Sequence, residues 1–177
     1  MPARTMKVFG LAGWSGSGKT TLMVAVLPLL VRAGVRVSTM KHTHERVDLD
    51  QPGKDSYRHR AAGACEVMLA SASRWTLMHE LRGEDEPALD ALVERMTPVD
   101  LLLVEGFKAY PHPKLEVHRP ALGRPLLCAQ DPSIVAVASD SVIEGLAVPV
   151  LPLDDAAAIA RFIAAHCGLA AELGAKP

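Results

Sequence analysis

Between residues 13 and 21 the chain reads Gly13-Trp14-Ser15-Gly16-Ser17-Gly18-Lys19-Thr20-Thr21. The spacing is G-x-x-x-x-G-K-[ST], and each residue type in it has a physical task. Glycines let the backbone wrap closely around phosphate oxygens, so that successive N–H groups converge as an anion nest. A helix opening at Lys19 adds the positive end of its dipole. Lys19 would set a point charge between β- and γ-phosphates, and the Thr20 hydroxyl would ligate Mg²⁺. Thr21 offers a second hydroxyl toward the α-phosphate. A chance glycine-rich turn lacks the context found here, an apolar strand before and an apolar-periodic helix after.

A phosphate loop of this kind needs a second acidic group for the metal, at the end of another buried strand. Leu101-Leu102-Leu103-Val104-Glu105-Gly106 supplies it, with Glu105 ending the apolar run and Gly106 allowing a sharp exit. Asp100 is the competing acid, but it stands at the wrong end of the strand for a site at the carboxyl edge of a sheet. The segment from Lys41 to Lys54 is denser in functional groups than a connector requires. It carries Lys41, His42, His44, Asp48 and Asp50, and it runs into a helix opened by Lys54, Asp55, Ser56 and Arg58. Such a loop, following the second strand, is expected to act as a switch or to meet a second, phosphate-bearing ligand. His42 and His44 with Asp48 and Asp50 also suit a metal, although no third histidine or cysteine has supporting local spacing. Asp55 and Ser56 alternatively serve only the helix N-terminus.

These groups need elements to hold them. The pattern predicts strands at Lys7–Ala12, Val35–Met40, Cys65–Ala70, Arg74–Leu81, Val99–Val104, Lys114–His118, Ile134–Ser139 and Val148–Leu151. Helices are expected over Lys19–Arg32, Lys54–Gly63, Ala88–Met96 and Asp154–His166. Gly34 closes the first helix, Pro28 sits in conflict inside it, and Asp154 or Asp155 caps the last. Strands alternating with helices predict an α/β fold, a nucleotide-binding, mostly parallel sheet flanked by helices, with some antiparallel strands. Trp75 is expected in the core or an interface, and the histidines at 59, 79, 112, 118 and 166 at the surface or in packing.

At 177 residues the chain suits a single domain, 1–177. Charged residues make up 22% and hydrophobic ones 49%, a globular balance that excludes disorder. A net charge of −1 excludes a polybasic binder of nucleic acid or membrane, and aromatics at 4% are too few for a base-stacking platform. No apolar run approaches the ~20 residues of a membrane span, and no signal-peptide pattern opens the chain. Cys65, Cys128 and Cys167 are odd in number and far apart, so buried free thiols in a reducing cytoplasm are expected.

Taken together, Gly13–Thr21, Met40-Lys41-His42-Thr43-His44, the run from Asp48 through Pro52-Gly53-Lys54-Asp55-Ser56-Tyr57-Arg58, Arg74–Met78, Leu103–Lys108 and Val135–Asp140 resemble the molybdopterin-guanine dinucleotide biosynthesis protein B (MobB) family. The phosphate loop alone is generic, whereas K-H-T-H joined to P-G-K-D-S-Y-R and V-E-G-F-K is far more specific. The resemblance implies a small P-loop protein that binds GTP with Mg²⁺, hydrolyses it weakly, and works as a homodimer. It implies further that the protein assists a nucleotidyltransferase (MobA) that attaches GMP to molybdopterin. A further histidine often follows K-H-T-H in that family, and Glu45 stands there instead, which argues against an anion or metal site of three histidines. The guanine clamp N-K-x-D or T-K-x-D is absent, and Ser139-Asp140 after its strand is the candidate for the base.

Two other functions compete. One is a small-molecule kinase on the same scaffold, which would need an arginine-bearing lid. Arg119 and Arg124 lie in a suitable loop, but Pro120, Gly123 and Pro125 preclude a helical one. The other is a non-hydrolysing, nucleotide-gated adaptor. Fast hydrolysis is not expected, because no glutamine and no fixed arginine are evident near the γ-phosphate; Arg46 and Arg58 are the nearest in sequence to the switch loop and are candidates for facing another ligand.

Overall fold

The computed structural model describes residues 6–43 and 47–169. The chain divides into two compact units, one formed by residues up to 42 and from 97 onward, the other by residues 43–96.

The larger unit is built on six strands, β1 (Lys7–Ala12), β2 (Val37–Lys41), β5 (Leu101–Glu105), β6 (Lys114–His118), β7 (Ile134–Ser139) and β8 (Val150–Pro152). Their order is β2-β5-β1-β6-β7-β8, and every pairing is parallel, as the sequence pattern requires at the centre. Alternate residues Phe9, Leu11, Leu101, Leu103, Leu115, Val117, Ala136 and Ala138 form the core with two helices, α1 (Lys19–Arg32) and α4 (Ala156–His166). Each fully buried leucine there contributes about 1.5–3 kcal/mol. All five residues of β5 are buried, in keeping with its unbroken apolar run.

Helix α1 runs through Pro28, which lies on its solvent side. It ends with Gly34 at φ 85°, whose N–H meets the Val31 carbonyl while Val35 N–H returns to that of Leu30. Val35 is spent in this cap, so β2 begins at Val37 rather than at Val35. Pro149 has no N–H for a ladder, and β8 starts just after it rather than at Val148. Asp155, not Asp154, caps α4, accepting from Ala158 N at 2.8 Å.

The opposite face of β6 is polar yet buried. Lys114 donates to the Tyr110 carbonyl, to Ser133 Oγ and to Asp131 at 3.2 Å. Glu116 accepts from the amides of Leu127 and Cys128 at 2.8 and 2.9 Å, so a coil is held by a buried carboxylate. His112 fills the space where a side chain on Gly10 would lie, and neither of its ring nitrogens has a partner among the described residues. Burial pushes its pKa down to about 4, with Lys114 acting the same way and Asp131 opposing.

The smaller unit holds α2 (Asp55–Ala61), the antiparallel hairpin β3 (Glu66–Ala70) with β4 (Trp75–His79), and α3 (Leu89–Glu94). Trp75 is 64% exposed, which removes the core half of the expectation and leaves the interface half; Met68 and Leu77, cross-strand partners on its face, are exposed too. The cysteines are free, but Cys65 is exposed, contrary to expectation, and only Cys167 is buried. No helix of the described residues is long and apolar enough to cross a membrane.

Candidate functional site

Everything in the phosphate loop follows from where β1 ends. Gly13 leaves the strand at φ 144°, and a Cβ there would lie 2.5 Å from the Val117 carbonyl and 2.7 Å from Ser17 Oγ. Gly16 and Gly18 also have positive φ, and Gly18 caps α1. Ser17 is 1% exposed, and its Oγ has no partner among the described residues. Lys19 folds back over the loop, donating to the carbonyls of Gly13 and Trp14 at 3.0 Å each. Burial lowers its pKa, Glu105 opposes that shift, and Lys108 and Lys41 add to it.

Thr20 and Glu105 meet. The Thr20 hydroxyl lies 2.9 and 3.0 Å from the two carboxylate oxygens, and Lys41 Nζ is 3.5 Å from one of them. The turn after β5 explains the juxtaposition. Gly106 has φ 97° and leaves only enough room for His42, whose Cβ would stand 2.9 Å from a side chain there. His42 N donates to the Glu105 carbonyl at 2.8 Å, and its ring packs on Phe107 at 4.6 Å between centroids. The K-H and E-G-F segments are thus one structure. A hydroxyl and a carboxylate are hard oxygen donors of the kind Mg²⁺ takes together with phosphates and waters. No group of three or more metal-ligating side chains occurs among the described residues. Asp100, the competing acid, is engaged with Arg36 at the other end of the sheet.

One residue read from the sequence only as a lid candidate stands at the loop itself. Arg119 follows β6, donates from Nε to the Ser17 carbonyl at 3.0 Å, and reaches Asp140 at 2.6 Å. An arginine is therefore fixed here, contrary to expectation. It lies far from the loop in sequence, but β6 lies beside β1 and delivers its last residues there. Nearby, Trp14 donates to the Pro125 carbonyl at 2.8 Å, with Lys108 Nζ and the Arg124 guanidinium 5.2 and 5.4 Å from its ring centroid. The segment after β6 makes only a single 3₁₀ turn, Pro120–Leu122.

A cavity of about 590 Å³ opens beside the first turn of α1. Thr21 and Arg119 stand at one part of its wall, Ser139 and Asp140 at the end of β7, and Asp154 just after β8. The rest is largely apolar, including Val142, Ile143, Leu151 and Leu153. Its volume suits a small-molecule ligand.

The remaining loop residues belong to the smaller unit. Arg60, not singled out by sequence reasoning, bonds Asp48 at 2.8 Å, Asp50 at 3.3 Å and Glu80 at 3.2 Å. Ser56 donates to Asp50 at 2.6 Å, one helical turn from Arg60, and that i, i+4 spacing was the available signal. Lys54 precedes α2, and the exposed Arg58 and Asp55 pair at 3.6 Å. His44 lies outside the described residues.

Residues 8–140 match the family model for molybdopterin guanine dinucleotide synthesis protein B, MobB. A molybdopterin-guanine dinucleotide biosynthesis adapter protein of Escherichia coli (strain K12) is 42% identical over 167 residues, 92% of this chain and 95% of that one. One from Haemophilus influenzae is 41% identical over 139 residues, 77% and 76% of the two chains. A crystal structure of a MobB homolog from Bacillus stearothermophilus superposes with a TM-score of 0.67 at 27% identity, covering 92% of this chain and 99% of that one.

Proposed function

The chain belongs to the molybdopterin guanine dinucleotide synthesis protein B family, and on that premise we propose that it acts in molybdenum-cofactor biosynthesis as a GTP- and Mg²⁺-binding adapter. Lys19 and the loop amides hold the phosphates, Thr20 and Glu105 hold the metal, and the cavity beside Thr21 takes the nucleoside. The observation that carries this reading is the Thr20–Glu105 contact at 2.9 Å beside a lysine folded over the loop. The segment that starts at Lys41 is the part that responds to the nucleotide and meets a molybdopterin-guanylyltransferase (MobA) or its phosphate-bearing pterin. Lys41 supports this by touching Glu105 from the last position of β2. Hydrolysis is weak in the isolated protein, and the product of the partner's reaction is what the protein promotes. The single 3₁₀ turn after Arg119 disfavours a kinase, which would close a lid there.

A second copy of the chain is the proposed partner of the exposed hairpin face formed by Met68, Trp75 and Leu77. The test of the nucleotide reading is calorimetry of Mg·GTP with wild type and Lys19→Ala. Loss of two charge-assisted phosphate contacts should weaken binding by about 100-fold or more. A variant that binds within a factor of two of wild type would show the site to be misassigned.

A further inference from the structure

We propose that Asp154 reads the base of the bound nucleotide and sets its preference for guanine. The inference rests on the nucleotide-binding reading above and goes beyond it, to the side chain that tells one purine from another.

The cavity places the question. It borders Thr21 in the first turn of α1, so phosphates held by the loop leave the nucleoside in this space. Val142, Ile143, Leu151 and Leu153 offer apolar surface to a flat ring, which makes the few polar groups decisive for orientation. Three carboxylates lie at this edge, and two are already used. Asp140 is 2.6 Å from Arg119, which itself grips the phosphate loop at the Ser17 carbonyl. For Asp140 to read a base, it would have to give up a charge-assisted pair that ties β7 to the loop. Asp155 caps α4 through Ala158 N. Asp154 lines the cavity, is exposed, and has no hydrogen-bond or ion-pair partner among the described residues. Its backbone is nonetheless fixed on both sides, since Leu153 N meets the Ser139 carbonyl at 2.9 Å and Asp155 N meets that of Pro152 at 3.2 Å.

The chemistry favours one purine. An ionised carboxylate only accepts hydrogen bonds. Guanine presents two adjacent donors, N1–H and the 2-amino group, which match its two oxygens. Adenine puts the N1 lone pair at that edge, and xanthine replaces the 2-amino group with a carbonyl. The chain contains neither N-K-x-D nor T-K-x-D, so the usual carboxylate clamp is absent.

The test is calorimetric titration of wild type, Asp154→Asn, Asp154→Ala and Asp140→Asn with Mg·GTP and with Mg·XTP, the xanthosine analogue. An asparagine amide, with one acceptor and one donor, complements xanthine. Asp154→Asn should therefore lose about 10–100-fold in GTP affinity and gain affinity for XTP, the scale of one good bidentate base contact. Asp154→Ala should lose GTP preference without gaining XTP, and Asp140→Asn should weaken both triphosphates alike. An Asp154→Asn protein that keeps the wild-type GTP:XTP ratio, or an Asp140→Asn protein that inverts it, overturns the assignment while Lys19-dependent GTP binding stands. Wild type that binds neither triphosphate overturns the nucleotide reading along with it.

Discussion

Replacing Glu105 with glutamine preserves size and shape and removes one charge from the end of β5. Three contacts define what changes. The Thr20 hydroxyl can still donate to the amide oxygen, so a bond to a charged group becomes a neutral one, a cost of about 1 kcal/mol. The pair with Lys41 disappears, but that lysine is 60% exposed, and such a pair contributes only about 0–1 kcal/mol. The backbone bond from His42 N to the Glu105 carbonyl is untouched, so the fold should survive. Magnesium should feel the change far more. Losing the charged oxygen should cost the cation about 1.5–3 kcal/mol, a shift of roughly 10–150-fold in the Mg²⁺ midpoint for GTP binding. Magnesium-free GDP should bind as well as before or better, because a negative charge has left the neighbourhood of its phosphates. A second readout follows from Lys19, whose ammonium Glu105 favours against burial, Lys108 and Lys41. Without Glu105 the Lys19 pKa falls further, and nucleotide binding should decline at a lower alkaline pH than in wild type. The assay is nucleotide titration across magnesium concentration and pH. A midpoint unchanged within about threefold, or an equal loss of magnesium-free GDP binding, would refute the reasoning.

The buried ring of His112 makes stability depend on acid. Its folded pKa of about 4 lies below the ordinary 6.5, so the unfolded chain takes up the proton first, and the stabilisation present above 6.5 is lost as pH falls toward 4. The full shift corresponds to about 2 kcal/mol by pH 5, reduced to about 1 kcal/mol because the residue is only half-buried. Urea unfolding at pH 7 and pH 5 should show wild type losing that much more than His112→Leu, and equal losses would contradict it. Light scattering at micromolar concentration should report a dimer, and Leu77→Lys a monomer; a monomeric wild type removes the proposed interface. Steady-state GTP turnover by the isolated protein should be on the order of once per minute or slower, since an unassisted site lacks roughly 10³–10⁵ in rate. Several turnovers per second without a partner would promote the kinase reading.

Local patterns carried most of what was read correctly. The bounds of α1, β1, β6 and β7 match those expected, because each follows from a run of periodic apolar residues between recognisable stops. Glu105 was legible because an apolar strand ending in an acid and a glycine is a contiguous signal. Arg119 reads from sequence only as a lid candidate, because its contact with the phosphate loop depends on β6 lying next to β1, and no single-chain periodicity encodes strand order. The walls of the cavity at Val142 and Leu153 were hidden for the same reason. Arg60 was overlooked in favour of Arg58, which sits on the exposed side of the same helix. From sequence Trp75 stands between core and interface, because an aromatic at a strand position signals a covered face without saying what covers it, and its exposure removes the core.

The strand order also governs when the phosphate loop comes into being during synthesis. β1 has no partner among the strands that immediately follow it: Lys7 pairs with Leu101, and Gly10 with Lys114. At translation speeds of roughly 5–20 residues per second, the apolar segments of β1 and α1 wait several seconds for the strands that will flank them. Until β5 has emerged, the loop has neither the carboxylate of Glu105 nor a sheet to fix its glycines. The nascent chain therefore carries its glycine-rich motif without the strand that flanks β1 until Leu101–Glu105 has been added. A truncation ending before Leu101 should bring α1 into solution as a sticky, unpartnered helix, the sort of segment that chaperones retain.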